Sequence, residues 1–207
     1  MVKVLFSFGC PRSGTTFIER CIWKLQNVVA RKVSEAMTMH PYNSMLGIVD
    51  LSWLFKSEAM FIQTIRNHRD IIESFYAAKE YFPLTGIARN TDYEIVQFII
   101  RSECSIKNQM QSDRWFSQIC EIDYDRLDDD AYRREKARYI TAQIETPQQN
   151  YEILLEQFRL FKVESKRKGR FYHGDLDKSF VEPEKMKWFE DKIRSILGYV
   201  RYKDGCR

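Results

Sequence analysis

The segment Gly9-Cys10-Pro11-Arg12-Ser13-Gly14-Thr15-Thr16 gathers one guanidinium, three hydroxyls and two glycines into a single loop. That set suits an oxyanion: glycines let main-chain N–H groups approach it, hydroxyls donate to it, and an Arg forks onto it. Gly9 and Gly14 keep the Gly-x-x-x-x-Gly spacing of phosphate-binding loops. Thr15 stands where nucleotide-hydrolysing loops carry the Lys that reaches the terminal phosphates, so Arg12 is the loop's side-chain cation. The pattern predicts a phosphate-bearing donor other than ATP bound in the usual way. A plain strand-to-helix turn accounts for the Gly and Pro but not for the Arg and hydroxyls.

A second cluster is Arg66-Asn67-His68-Arg69-Asp70, followed by Ser74. Arg66 leaves the end of an apolar run, and Ser74 lies in the first turns of the helical pattern that follows, on the face of Asp70. An Arg and a hydroxyl over a helix start form a second anion site. Two such sites imply a ligand with two separated phosphate groups. A third polar cluster, Tyr124-Asp125, ends another apolar run.

These clusters need elements to hold them. Val4–Phe8 reads as a buried strand, and the pattern Phe17–Leu25 as the first helix. Val28–Val33 reads as a second strand ending near Ser34-Glu35, 36–46 as a loop, 47–57 as helical and Met60–Ile65 as a third strand. Helices are expected over Ile71–Tyr81, with Asp70 as cap, and over 91–111. Ser117–Asp123 reads as a strand. Helices follow from Asp128–Asp130 to Ile144, from Gln148 to Phe161 and from Glu182 to Leu197, with 163–181 a basic loop between the last two. Strands alternating with helices predict one α/β domain over 1–207, a central parallel sheet with helices on both faces. Ligands then bind outside the carboxyl ends of the strands, where all three clusters fall.

Composition narrows the function classes. A chain of 207 residues suits one domain and one sizeable core. Its 14% aromatic content argues against disorder, and a net charge of +4 does not call for nucleic acid. Five scattered Cys without a Cys-x-x-Cys pair fit a reduced, cytoplasmic protein without a metal site. Met1-Val2-Lys3 runs into the first strand and does not read as a signal peptide, and no run is long enough to span a membrane.

Taken together, the motifs resemble those of sulfotransferases that use 3′-phosphoadenosine 5′-phosphosulfate (PAPS), of which this would be a short member. The family's Pro-Lys/Arg-Ser-Gly-Thr-Thr loop, which binds the 5′-phosphosulfate, is similar to Pro11-Arg12-Ser13-Gly14-Thr15-Thr16. Its Arg-Asn-Pro-Arg-Asp-x-x-x-Ser-Phe-Tyr segment, which binds the 3′-phosphate, is similar to Arg66–Tyr76, with His68 in place of Pro. Tyr124-Asp125-Arg126-Leu127 is similar to a strand end whose Tyr lies near the nucleotide. Arg167-Lys168-Gly169 is similar to a late loop that clamps the 3′-phosphate. The Gly-Asp-Trp-Lys-Asn-x-Phe that follows it in the family appears here as Gly174–Phe180, with Leu176 for Trp.

The resemblance implies a P-loop-NTPase-like α/β fold and in-line transfer of a sulfuryl group to a hydroxyl or amine, with adenosine 3′,5′-bisphosphate as product and no metal. Acceptors on this reading are small molecules, or hydroxyls of carbohydrate or peptide. Loops 36–58 and 82–92 are expected to line the acceptor pocket. Arg12 would stabilise the leaving phosphate. Glu35, at a strand end, is the favoured general base; His40 is the alternative and His173 a distant third. Two rivals stand beside this reading: a P-loop-like kinase, which would want the absent Lys and Mg²⁺, and a non-catalytic nucleotide-binding protein.

Overall fold

The computed structural model describes residues 1–33, 51, 54–79, 92–112, 119–160, 181–202 and 205–206. The strands are β1 (Val4–Gly9), β2 (Val29–Lys32), β3 (Ala59–Ile65), β4 (Ile119–Asp123), β5 (Arg201–Tyr202) and β6 (Gly205–Cys206). The helices are α1 (Thr15–Ile22), α2 (His68–Lys79), α3 (Asp92–Ser112), α4 (Asp130–Thr141), α5 (Pro147–Arg159) and α6 (Pro183–Leu197). Four strands form one parallel sheet in the order β2-β1-β3-β4, and β5 and β6 pair antiparallel.

β1 is central, and Leu5, Phe6, Ser7, Phe8 and Gly9 are all buried, as expected of a parallel strand covered on both faces. The pleat sends its side chains to two different layers. Leu5 joins Met60, Ile62, Cys120 and Ile122 under α1, α4 and α5, through Ile18, Ile22, Ile140, Leu154 and Phe158. Phe6 and Phe8 join Phe61 and Ile106 of α3 on the opposite side. There the Phe6 and Phe61 rings stack at 5.4 Å, and Phe8 meets Phe61 edge-on at 6.4 Å. α2 and α6 complete that layer against α3 through Ile71, Phe75, Ile99 and Phe189.

Register sets what lies at the carboxyl edge. Gly9 is opposite Thr64 of β3, and Ile65 is opposite Asp123 of β4, so the loop after β1 and the turns after β3 and β4 emerge side by side. On β1's other flank the ladder runs one bond past β2, because Val33 N–H donates to Ser7 O at 2.9 Å.

Several element boundaries differ from the sequence expectation: α1, expected over Phe17–Leu25, runs from Thr15 to Ile22. α2 begins at His68, and its cap is Asn67, whose Oδ1 accepts from Asp70 N–H at 2.8 Å; Asp70 is therefore inside the first turn. Asn caps as well as Asp, and the carboxylate of Asp125 holds Asn67 in that role. α4 stops at Thr141 rather than Ile144. The β5–β6 pair is too short to leave a periodic signal.

Candidate functional site

After β1 the chain makes a tight turn in which Ser13 N–H donates to Cys10 O at 3.0 Å. Arg12 takes φ +69° and Gly14 φ +98°, both left-handed. Such a conformation is costly for Arg, and side chains held in it cluster at ligand sites. Gly14 is also a close approach: a Cβ there would collide with the Tyr124 ring. No side chain caps α1, and Phe17 and Ile18 N–H turn back to Gly14 O, so the earlier N–H groups of the helix start face the loop. Ser13 Oγ is fully buried without a hydrogen-bond partner. A buried, unpaired hydroxyl beside an uncapped helix start is a donor awaiting an acceptor.

Three cations converge on this loop. Arg12 Nε donates to Ser74 Oγ at 3.0 Å, and its terminal nitrogen reaches Ser74 O at 3.4 Å. Arg66 donates to Arg12 O at 3.2 Å, and its guanidinium lies 5.0 Å from the centre of the Tyr124 ring. Lys32, at the end of β2, donates to Thr16 Oγ1 at 3.2 Å.

Two carboxylates complete the arrangement. Asp70 lies 3.5 Å and Asp125 3.6 Å from Arg66, both long for an ion pair. Asp125 Oδ2 accepts from Asn67 N–H at 2.8 Å and from Asn67 Nδ2 at 2.7 Å. Burial pushes the Asp125 pKa above the usual carboxylate range, against the pull of Asn67 and Arg66. Tyr124 packs against the layer that contains Phe17, its ring edge-on to that residue at 6.1 Å.

Pro11, Arg12, Ser13, Gly14, Thr15, Thr16, Arg66, Ser74 and Tyr124 thus come together from three strand ends. The hydroxyl of Ser74 accepts from Arg12, so the two expected anion sites adjoin one another. Glu35, His40, Arg167, Lys168, Gly169 and His173 lie outside the described residues, as do most of 36–58 and 82–92. Lys32 was not singled out from the sequence, and Asn67 and Asp125 were read there as members of the polar clusters without a role of their own. For Lys32 a signal was there, a cation ending a strand beside β1. Among the described residues no group of three or more His, Cys, Asp or Glu could hold a metal ion, and no helix is long and apolar enough to cross a membrane.

Between α1 and the end of α5 a cavity of about 320 Å³ is lined by Phe17, Arg20, Cys21, Trp23, Lys24, Gln157 and Leu160. It mixes apolar and cationic surface. No protein-family model matches this chain, and no curated protein matches it.

Proposed function

We propose that this chain is a PAPS-dependent sulfotransferase on a P-loop-like sheet, moving a sulfuryl group to a hydroxyl or amine. The observation that carries the reading is the Arg12–Ser74 hydrogen bond at 3.0 Å. It joins the loop's cation to the second motif and makes one bipartite anion site across two strand ends. The residues also fit such a donor by their gaps: the orphaned Ser13 hydroxyl and the uncapped start of α1 offer donors to one anionic group. Arg66, loosely paired with Asp70 and Asp125, offers a cation to a second.

The bound donor supplies the sulfuryl group and, as leaving group, the 5′-phosphate of adenosine 3′,5′-bisphosphate. The protein's part is positioning and charge. An acceptor oxygen or nitrogen attacks sulfur in line, its new bond forming as the bond from sulfur to the phosphate oxygen breaks. Arg12 and the N–H groups of the loop hold the negative charge that gathers on the phosphate. Lys32 adds a second cation on the β2 side. The acceptor's proton passes to a base, for which Glu35 is favoured over His40, because β2 and the bond at Val33 bring the chain beside the loop two residues earlier. The cavity at Phe17 is of a size and character to take a flat heterocyclic base.

Isothermal titration tests the cofactor. Adenosine 3′,5′-bisphosphate is expected to bind far more tightly than AMP, and ATP with Mg²⁺ weakly. Equal affinity for the bisphosphate and AMP would remove the assignment, and preference for Mg–ATP would favour a kinase. A transfer assay with radiolabelled PAPS over hydroxyl and amine acceptors then separates an enzyme from a binding protein. Transfer should survive EDTA, since Arg12 and main-chain donors fill the place a metal takes in phosphoryl transfer.

A further inference from the structure

Behind the site, α2 begins on a buried polar cluster that the proposed chemistry does not use. His68, its first residue, is 0% exposed. His68 Nδ1 accepts from the main-chain N–H of Arg201 at 3.0 Å, so the ring carries its proton on Nε2. Nε2 lies 3.7 Å from Glu103 Oε1, near but beyond hydrogen-bond distance, and the ring stacks on Tyr199 with centroids 6.0 Å apart. Glu103 is 6% exposed and takes both arms of the Arg201 guanidinium, at 2.9 and 3.2 Å, and the Tyr199 hydroxyl at 3.2 Å. Burial alone would raise the Glu103 pKa, but His68, Arg201 and Tyr199 together hold it below the usual range.

Burying a carboxylate and a guanidinium is expensive, and an apolar cluster of the same volume would stabilise the fold as well or better. Nor does α2 need the cluster in order to start, since Asn67 already caps it. What the cluster adds is a fixed position. Residues 66–70 are gripped from one side by Asp125, through Asn67, and from the other by the C-terminal segment, through His68. On the same turn and helix sit Arg66, which reaches Arg12 O, and Ser74, which accepts from Arg12.

We propose that His68 is a positioning residue, and that Glu103, Tyr199 and Arg201 form a clasp on it that sets where Arg66 meets the second phosphate group. The inference rests on the two-phosphate reading of the site. It makes the segment Tyr199–Tyr202 part of the binding apparatus.

Two replacements of His68 separate the ring's two nitrogens. His68→Asn keeps an oxygen near Nδ1 that can accept from Arg201 N–H. His68→Gln moves the polar group to the Nε2 end and leaves that N–H without its acceptor. Affinities for adenosine 3′,5′-bisphosphate and for AMP are measured by titration well below each variant's Tm. In His68→Gln the ratio of the two should fall roughly tenfold, the worth of one misplaced charge-assisted hydrogen bond, with AMP affinity within about twofold of the parent. His68→Asn should restore most of the ratio. A lowered Tm with an unchanged ratio means a structural role and overturns the proposal.

If neither His68 variant folds, Tyr199→Phe keeps the stacked ring and removes one bond to Glu103. Its ratio should fall about threefold, and no change there overturns the proposal. A nucleotide-free readout keeps the two readings apart. The NMR signal of Arg66 Nε–H should shift in His68→Gln and return towards the parent in His68→Asn. If the parent protein binds both nucleotides equally, the two-phosphate reading falls, and an Arg66 signal unmoved by His68→Gln would then dispose of the clasp as well.

Discussion

Gly14 carries two demands at once, a left-handed φ of +98° and contact with the Tyr124 ring. Gly14→Ala meets neither, and it should destabilise the fold by roughly 1–3 kcal/mol while weakening nucleotide binding. Paired urea melts and titrations check this. Arg66→Ala acts differently: it leaves Asp125 buried with Asn67 as its remaining partner and removes the cation proposed for the second phosphate. Adenosine 3′,5′-bisphosphate should then bind little better than AMP, while AMP affinity holds. For the base, Glu35→Gln should keep nucleotide affinity and lower turnover by roughly 10²–10⁴-fold. His40→Ala should act mainly on acceptor KM; the opposite pattern in kcat would exchange the two roles.

Among the elements, α2 is the one the site depends on most. Its start is held by the cap Asn67, the carboxylate of Asp125 and the buried imidazole of His68, all acting on residues 66–70. Asn67→Ala removes the cap and the Nδ2 donor to Asp125 Oδ2, leaving that buried carboxylate with the main-chain N–H of residue 67 and the long contact to Arg66. The expected cost is about 1–3 kcal/mol, read as a lower urea midpoint with an unchanged m-value. β1 needs no such device: it is central, and its Phe6 and Phe8 pack against Phe61. The sequence conveyed β1 and β3 well because continuous apolar runs bounded by Gly, Pro and polar clusters are local signals. It misjudged the start of α2 because Asn67 and Asp70 both look like caps, and the choice between them is made by Asp125, 58 residues away.

Across the whole molecule, the buried ionisable groups give stability a defined pH profile. Burial pushes the Cys120 thiol up to about 12 from 9.0, and the Tyr132 hydroxyl, which accepts from Asp123 N–H at 2.7 Å, up to about 12 from 10.0. Above those unperturbed values the unfolded chain gives up protons that the folded one retains, so stability should fall as pH rises from 9.0 towards 12. Tyr132→Phe should flatten the upper part of that slope in a Tm-against-pH series. On the acid side the two carboxylates oppose each other. Glu103, lowered, adds stability above the usual carboxylate range that is lost as pH falls through its folded pKa. Asp125, raised, costs stability at neutral pH and returns it as the pH drops. Glu103→Gln should therefore remove most of the acid-side loss near the clasp, leaving the Asp125 trend of opposite sign.

The sequence by itself determined the Gly-bounded loop between β1 and α1, the alternation of strands and helices, and the clustering of polar residues at strand ends. Each of these is written in a few neighbouring residues, through Gly and Pro geometry, apolar runs and capping residues. Tertiary structure alone decided that Arg12 reaches Ser74 across 62 positions, that Lys32 joins the loop at Thr16, and that Asp125 grips Asn67. It also decided that His68 is buried against Arg201, 133 positions later, a pairing no spacing announces. Local propensity sets what each segment becomes. Which strand ends lie side by side, and which side chains meet there, follows from the order β2-β1-β3-β4, its register and the packing of helices on both faces. Those depend on the summed burial of residues far apart in the chain, and no single stretch encodes them.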